Sequence, residues 1–108
     1  MNLDKFKLLL EGIFHRTEST FNRKRSEYAH DVDVFKSLKN GTGFSFHNEP
    51  EQVAYEYLCK HLESIQSILA KLPEETPRYE LINEKFGDAI NYLIIIEGLL
   101  KERVNKEI

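Results

Sequence analysis

The chain has 108 residues and one cysteine, and its charged residues (31%) nearly balance to a formal net charge of -3. This length supports a single domain, residues 1–108, with one modest core. The balanced charge is typical of a globular protein and argues against a basic nucleic-acid binder or a disordered tail. Because a lone cysteine cannot form an internal disulfide and the charged start "MNLDKFK" does not resemble a signal peptide, the sequence predicts a cytoplasmic protein.

The first predicted element is a long helix over residues 3–31. This stretch has no proline, and its apolar and amphipathic residues recur at steps of three and four, the spacing of one helical face. They are Phe6, Leu10, Ile13, Thr17, Phe21, Lys24 and Tyr28. The next stretch, "KNGTGFSFHNEP", is rich in glycine and asparagine and predicts a loop over residues 32–49. A short extended piece in "DVDVF" or "GFSFH" stays open.

Two further helices are predicted, over residues 50–72 and 77–106. Each has a proline at its first position, Pro50 or Pro77, where a missing N–H is tolerated. Thr76 is a candidate N-cap for the last helix, and Pro73 ends the middle one. The fold class is therefore all-α, a bundle of three main helices with one longer loop.

The last helix is apolar on nearly every side in its middle, from Ala89 to Leu100. This run is too short and too interrupted to span a bilayer. A helix apolar on several sides is buried on several sides, and three helices of one chain cannot surround it. The sequence therefore predicts that oligomerisation completes the bundle.

Two acids and an amide lie on one face of that last helix. Glu84, Asp88 and Asn91 are spaced by four and three residues, and two carboxylates so close together repel unless a cation offsets them. Carboxylate and amide oxygens are ligands that Mg²⁺ and Mn²⁺ prefer. The alternative is a solvated acidic pair that complements the helix dipole.

Two other positions carry polar groups where the pattern expects apolar ones. Lys24 continues the stripe of the first helix close to Glu27 and Asp31, so it either pairs with an acid, receives an anionic ligand or extends its charge to solvent. His61 lies on the apolar stripe of the middle helix, next to Lys60. A histidine there is more often a core residue than a ligand, unless it faces Asp88 or Glu27.

Three segments together resemble a known family. The stretch "EKFGDAINYL" is similar to the "E-E-L-G-D" helix of the MazG-like, all-α nucleoside triphosphate pyrophosphatases, and more closely to their small phage-encoded, nucleotide-modification-associated relatives. In those relatives a "K-x-x-[DE]-Y-[AG]" segment and a "KH" or "KR" helix come before an acidic helix that ends in "D-x-x-N-Y". Here the corresponding segments are "KRSEYA", "CKHLESI" and "EKFGDAINYL".

This resemblance implies a homodimer or homotetramer that holds Mg²⁺ (or Mn²⁺) against a nucleoside triphosphate and releases a monophosphate and pyrophosphate. It implies a function for each candidate residue by position. Glu84 and Asp88 would be metal ligands, and Glu27 and Asp31 would act in catalysis. The implied substrate-binding residues are Lys24, Tyr28, Lys60, His61 and Asn91.

The chain also departs from the family pattern. Lys85 stands in place of the second glutamate of "E-E", and the usual "E-E-x-x-E" element is missing, with Glu63 the nearest acid on the middle helix. Three functions therefore stay open: a Mg²⁺-dependent pyrophosphohydrolase, a protein that binds or sequesters a nucleotide without chemistry, and a helical oligomeric interaction protein.

Overall fold

The computed structural model describes residues 1–27, 35–42 and 47–104, without the side chains of residues 25–27, 37 and 41. The all-α class is confirmed, because the regular elements in these ranges are all helices. They are α1 (Leu3–Glu27), α2 (Lys36–Gly41), α3 (Pro50–Ala70) and α4 (Tyr79–Val104). None of the helices in the described ranges has a stretch long and apolar enough to cross a membrane. The segments "DVDVF" and "GFSFH" lie almost wholly outside these ranges.

The chain divides into two compact units, Met1–Val34 and Phe35–Ile108. The first unit contains α1, which begins after Asn2. The Oδ1 atom of Asn2 accepts a hydrogen bond from the Lys5 N–H at 2.9 Å, and this satisfies one of the free donors of the first turn. Along the helix, the Thr17 hydroxyl donates to the Ile13 carbonyl at 2.9 Å.

The second unit begins with a short helix inside the predicted loop. Residues 32–49 were predicted to lack a helix, and α2 corrects this prediction. Six residues are too few for a helical repeat to show in the sequence, and Asn40 and Gly41 are typical turn residues. Here they form the end of α2, where the Thr42 hydroxyl donates to the Lys39 carbonyl at 2.8 Å.

The ends of the two long helices differ slightly from prediction. Pro50 is the first residue of α3, as its ring favours, and Glu49 is the N-cap residue. α3 ends at Ala70, before the cis peptide bond of Leu72–Pro73. α4 begins at Tyr79, two residues later than predicted, because its first backbone bond runs from the Ile82 N–H to the Arg78 carbonyl at 3.1 Å.

α3 packs against α4 as an antiparallel hairpin, and α2 packs against α3. The core between them is small. Its apolar side chains, all at most 6% exposed, are Val53, Ala54, Leu58, Ala89 and Leu99. Because two of the five are alanine, the axes of α3 and α4 can approach closely along this seam.

The hairpin has one mainly apolar side, here called the apolar face. Its residues are 37–58% exposed and comprise Tyr55, Leu62, Leu69, Ile82, Phe86, Leu93 and Leu100. Nearly all of them follow by one position a residue that lies between the helices, as Tyr55 follows Ala54 and Leu100 follows Leu99. In an antiparallel pair of helices, such positions lie on the same side.

The opposite side is here called the polar face. It is formed by residues that precede the inward positions and by two rings at its edge: Tyr57, Lys60, His61, Glu84, Asp88, Asn91 and Tyr92. The predicted metal ligands and three of the predicted substrate-binding residues thus lie on one side of the hairpin.

Gly98 lets an aromatic ring approach the backbone of α4. A Cβ atom added at Gly98 would lie 2.8 Å from Cζ of Phe35, closer than real side chains approach each other. Phe35 precedes α2, so this contact joins the start of the second unit to the end of the hairpin.

We expect Gly98→Ala to stabilise the protein only when the Phe35 ring is removed. Alanine is favoured over glycine inside a helix by about 1 kcal/mol. In a Phe35→Ala background, Gly98→Ala should raise the free energy of unfolding by that amount. In the wild-type chain, the close contact with the Phe35 ring should cancel this gain. Urea unfolding of the four chains measures this coupling. Gly12→Ala in α1 is the matched control, because no atom of the described residues lies within 4 Å of its added Cβ. It should stabilise the protein by about 1 kcal/mol in either background. Equal effects of Gly98→Ala in the two backgrounds would contradict the packing.

Ion pairs join the end of α4 to the helices beside it. The Arg103 guanidinium donates to the carboxylates of Glu49 and Glu51, and the Lys39 Nζ donates to Glu102 at 2.7 Å. The hydrogen bonds from Arg103 lower the pKa of Glu51, whose side chain is 13% exposed. A lowered pKa contributes stability above the ordinary value for glutamate, and this stability is lost as the pH falls through the lowered pKa.

Candidate functional site

The polar face brings His61 of α3 against Asp88 of α4. Nδ1 of His61 lies 3.7 Å from Oδ2 of Asp88, an ion pair when the imidazole is protonated. The His61 side chain is 24% exposed and that of Asp88 is 43% exposed. The sequence makes His61 a candidate ligand-binding residue if it faces Asp88 or Glu27. The contact with Asp88 meets this condition.

The His61 ring belongs to a cluster of three aromatic rings next to Asp88. The His61 ring stacks on Tyr92 with their centroids 5.4 Å apart and their planes at 23°. Tyr92 also contacts Tyr57, with centroids 5.8 Å apart and planes tilted by 54°. The Lys60 Nζ lies 5.6 Å from the centroid of the Tyr57 ring, within the range of a cation–π contact. The aromatic cluster thus contacts both a carboxylate, that of Asp88, and an ammonium group, that of Lys60.

The position of Tyr92 in this cluster raises the pKa of its phenol. Burial is the main cause, and the nearby Asp88 carboxylate and Tyr57 add to it, because a second negative charge is unfavourable there. A raised pKa means that the fold favours the protonated phenol. This contributes stability below the ordinary tyrosine value, which is lost as the pH rises through the raised pKa.

The predicted metal ligands do not complete a metal site by themselves. Glu84 pairs with Lys85 at 3.7 Å, and Asp88 faces His61. Over the described residues, no three His, Cys, Asp or Glu side chains come together in a group that could hold a metal ion. Because Mg²⁺ takes six oxygen ligands at short distances, most of its ligands would have to come from elsewhere.

Four of the predicted functional residues belong to the first unit: Lys24, Glu27, Tyr28 and Asp31. Lys24 is exposed on α1, and Glu27 is the last residue of that helix, with a side chain outside the description. Tyr28 and Asp31 lie outside the described residues. The functions predicted for these four residues stay predictions.

Tyr57 had no function predicted from the sequence. The signal was present, since Tyr57 and His61 are one helical turn apart and Lys60 lies three residues beyond Tyr57, so the three share a side of α3. The contact of Tyr57 with Tyr92 depends on how α3 and α4 align, which the spacing within one helix does not specify.

Two cavities lie away from the polar face. The larger, about 280 Å³, is lined by Lys39, Pro50, Glu51, Leu99, Glu102 and Arg103. Its cations and acids pair with one another, as described above, so it presents balanced charge to any ligand. The smaller, about 30 Å³, lies between Ile68 and Leu81 at the closed end of the hairpin.

No protein-family model, curated protein or solved structure matches the chain. The resemblance to the MazG-like pyrophosphatases therefore stays a prediction that rests on the three sequence segments. The function of the polar face has to be argued from its own residues.

Asp88→Asn should lower the pKa of Tyr92 without returning it to the ordinary tyrosine value. The substitution removes the carboxylate charge, whereas burial, the largest cause of the shift, remains. NMR titration of ¹³C-labelled tyrosine measures each phenol separately. Glu97→Gln, which changes an exposed acid elsewhere on α4, should leave Tyr92 unaffected. An unchanged Tyr92 pKa in Asp88→Asn would show that the carboxylate does not act on the ring.

Proposed function

We propose that this chain is a cytoplasmic nucleotide-binding protein that holds its ligand on the polar face of the α3–α4 hairpin. The observation that carries the proposal is the aromatic cluster of Tyr57, His61 and Tyr92 with Lys60 at its edge. A nucleotide combines a flat base with negatively charged phosphates, and this surface combines flat rings with a cation.

The rings suit the base. Tyr57 is 39% exposed, and a base stacked on its ring would lie beside the Lys60 ammonium group. Stacking of a base on an aromatic side chain contributes about 1–3 kcal/mol and tolerates any base, because every base has a π-face. Asn91 and the Asp88 carboxylate offer hydrogen-bonding groups on the same side. The substrate-binding function predicted for His61 and Asn91 is consistent with this geometry.

Lys60 suits the phosphates. It is exposed and held near Tyr57, so a phosphate beside the stacked base would lie within reach of its ammonium group. A charged hydrogen bond of this kind contributes about 1.5–3 kcal/mol. The Tyr57 and Lys60 pair therefore accounts for both parts of a nucleotide within one turn of α3.

Magnesium, or manganese, is proposed to bind together with the nucleotide. Glu84 and Asp88 supply two carboxylates one turn apart, and phosphate oxygens are hard ligands of the same kind. A bound divalent ion would neutralise phosphate charge. Metal binding by the chain alone should be weak, because one chain's described residues leave the coordination incomplete.

Hydrolysis of a nucleoside triphosphate to the monophosphate and pyrophosphate is the second candidate. It is favoured by the position of both carboxylates, Glu84 and Asp88, on the face that carries the rings. It further requires the catalytic functions predicted for Glu27 and Asp31. The proposal of binding does not depend on this step.

Isothermal titration calorimetry against nucleoside triphosphates and cyclic nucleotides, with and without Mg²⁺, tests the proposal. We expect triphosphate binding that Mg²⁺ strengthens. Lys60→Ala should weaken triphosphate binding about tenfold or more and have little effect on the unphosphorylated nucleoside. Tyr57→Leu should weaken both by about tenfold, because it removes the stacking surface.

The matched controls are Lys71→Ala and Tyr79→Leu, which change the same residue types outside the polar face. Both should bind like the wild-type chain. Absence of heat with every nucleotide, or equal losses in the controls, would contradict nucleotide binding at this face.

Chromatography of the mixtures then separates the two candidates. If the wild-type chain releases monophosphate and pyrophosphate and the variants Glu84→Gln and Asp88→Asn do not, the chain hydrolyses its ligand. If the wild-type chain returns the ligand intact, it only binds it.

A further inference from the structure

We propose that the larger cavity, where α2, the start of α3 and the end of α4 meet, binds a small zwitterion, namely an α-amino acid with an apolar side chain. This cavity of about 280 Å³ is here called the charged cavity. None of its lining residues belongs to the polar face. The two proposed sites are therefore independent, and neither requires the other.

The charged cavity has the size of one amino acid. A water molecule occupies about 30 Å³ in the liquid, so this volume corresponds to about nine non-hydrogen atoms, the size of leucine. Two of its lining residues are apolar. They are Leu99, which is 2% exposed, and Pro50, the first residue of α3. An apolar side chain of the ligand would leave water when it packs against them.

Arg103 offers the contact for the ligand carboxylate. Its Nε and Nη2 atoms donate to Glu51 and Glu49, and these bonds hold the guanidinium in place. No described residue accepts a hydrogen bond from Nη1, so the two N–H donors of that atom remain for a ligand. Hydrogen bonds between a guanidinium and a carboxylate are about twice as strong as those between neutral groups.

Glu102 offers the contact for the ligand ammonium group. Its Oε1 atom accepts a hydrogen bond from the Lys39 Nζ at 2.7 Å, whereas Oε2 accepts none from the described residues. Glu102 and Arg103 are consecutive in α4 and line the same cavity. The amino and carboxylate groups of an α-amino acid are likewise attached to one carbon atom, so one ligand can contact both residues.

The charges around the cavity favour a ligand that carries both signs. The lining includes two cations, Lys39 and Arg103, and two acids, Glu51 and Glu102. A simple anion bound to Arg103 would also lie near the Glu51 carboxylate, and a simple cation bound to Glu102 would lie near the Lys39 ammonium group. Each would be repelled there. A zwitterion offsets this repulsion because each of its charges meets an opposite one.

NMR titration of the ¹⁵N-labelled full-length chain with L-leucine tests the inference. We expect saturable amide shifts at the cavity residues of α2, α3 and α4, with a dissociation constant of about 1 mM or lower. Two analogues test the charges: 4-methylpentanoate lacks the ammonium group, and 3-methylbutylamine lacks the carboxylate. Each should bind about tenfold or more weakly than L-leucine, because each loses one charged hydrogen bond.

Glu102→Gln distinguishes a ligand contact from a structural effect. It should weaken L-leucine binding about tenfold and should not weaken 4-methylpentanoate binding, because only the contact with the ammonium group is lost. Glu97→Gln is the matched control, since Glu97 is also an acid of α4 paired with a lysine, Lys101 at 3.0 Å, and does not line the cavity. It should bind both ligands like the wild-type chain. Circular dichroism should show native helix content in both variants, because both side chains are at least half exposed.

Three results would overturn the inference. The first is the absence of saturable shifts at the cavity residues with L-leucine well above the expected dissociation constant. The second is 4-methylpentanoate or 3-methylbutylamine binding as tightly as L-leucine. The third is a loss of L-leucine binding in Glu97→Gln equal to that in Glu102→Gln.

Discussion

The alignment of α3 with α4 is the constraint on which the rest of the structure depends. Small and apolar side chains along the seam, such as Ala54, Leu58 and Ala89, fix which residues of the two helices lie opposite each other. This alignment places His61 across from Asp88 and Tyr57 beside Tyr92. A shift of one turn along the seam would separate all four, so the chemistry of the polar face follows from apolar packing.

The same seam gives the hairpin two different sides. One side collects rings, an ammonium group and carboxylates, and the other collects apolar side chains at a seven-residue repeat. Among the described residues, the seam buries five apolar side chains almost completely.

Much of this arrangement follows from periodicity, and the remainder depends on contacts between helices. The helical repeat predicted the long helices, and residue spacing put Glu84, Asp88 and Asn91 on one side of α4. The short α2 was missed because six residues show no repeat and its asparagine and glycine also favour turns. From the sequence, a contact of His61 with Asp88 could be stated only as the condition for a ligand-binding function of His61. Whether the contact forms depends on the alignment of the two helices, which is set by packing across the seam. The lowered pKa of Glu51 arises likewise from Arg103, 52 positions away in the chain.

The most direct test of nucleotide binding at the polar face is NMR of the full chain with labelled aromatic rings, titrated with a nucleoside triphosphate and Mg²⁺. Stacking of a base shifts the resonances of the rings that it contacts. Saturable shifts at Tyr57, His61 and Tyr92, with Tyr55 and Phe86 of the apolar face unchanged, are the expected result. Shifts confined to the apolar face, or none at saturating nucleotide, would contradict nucleotide binding by the polar face.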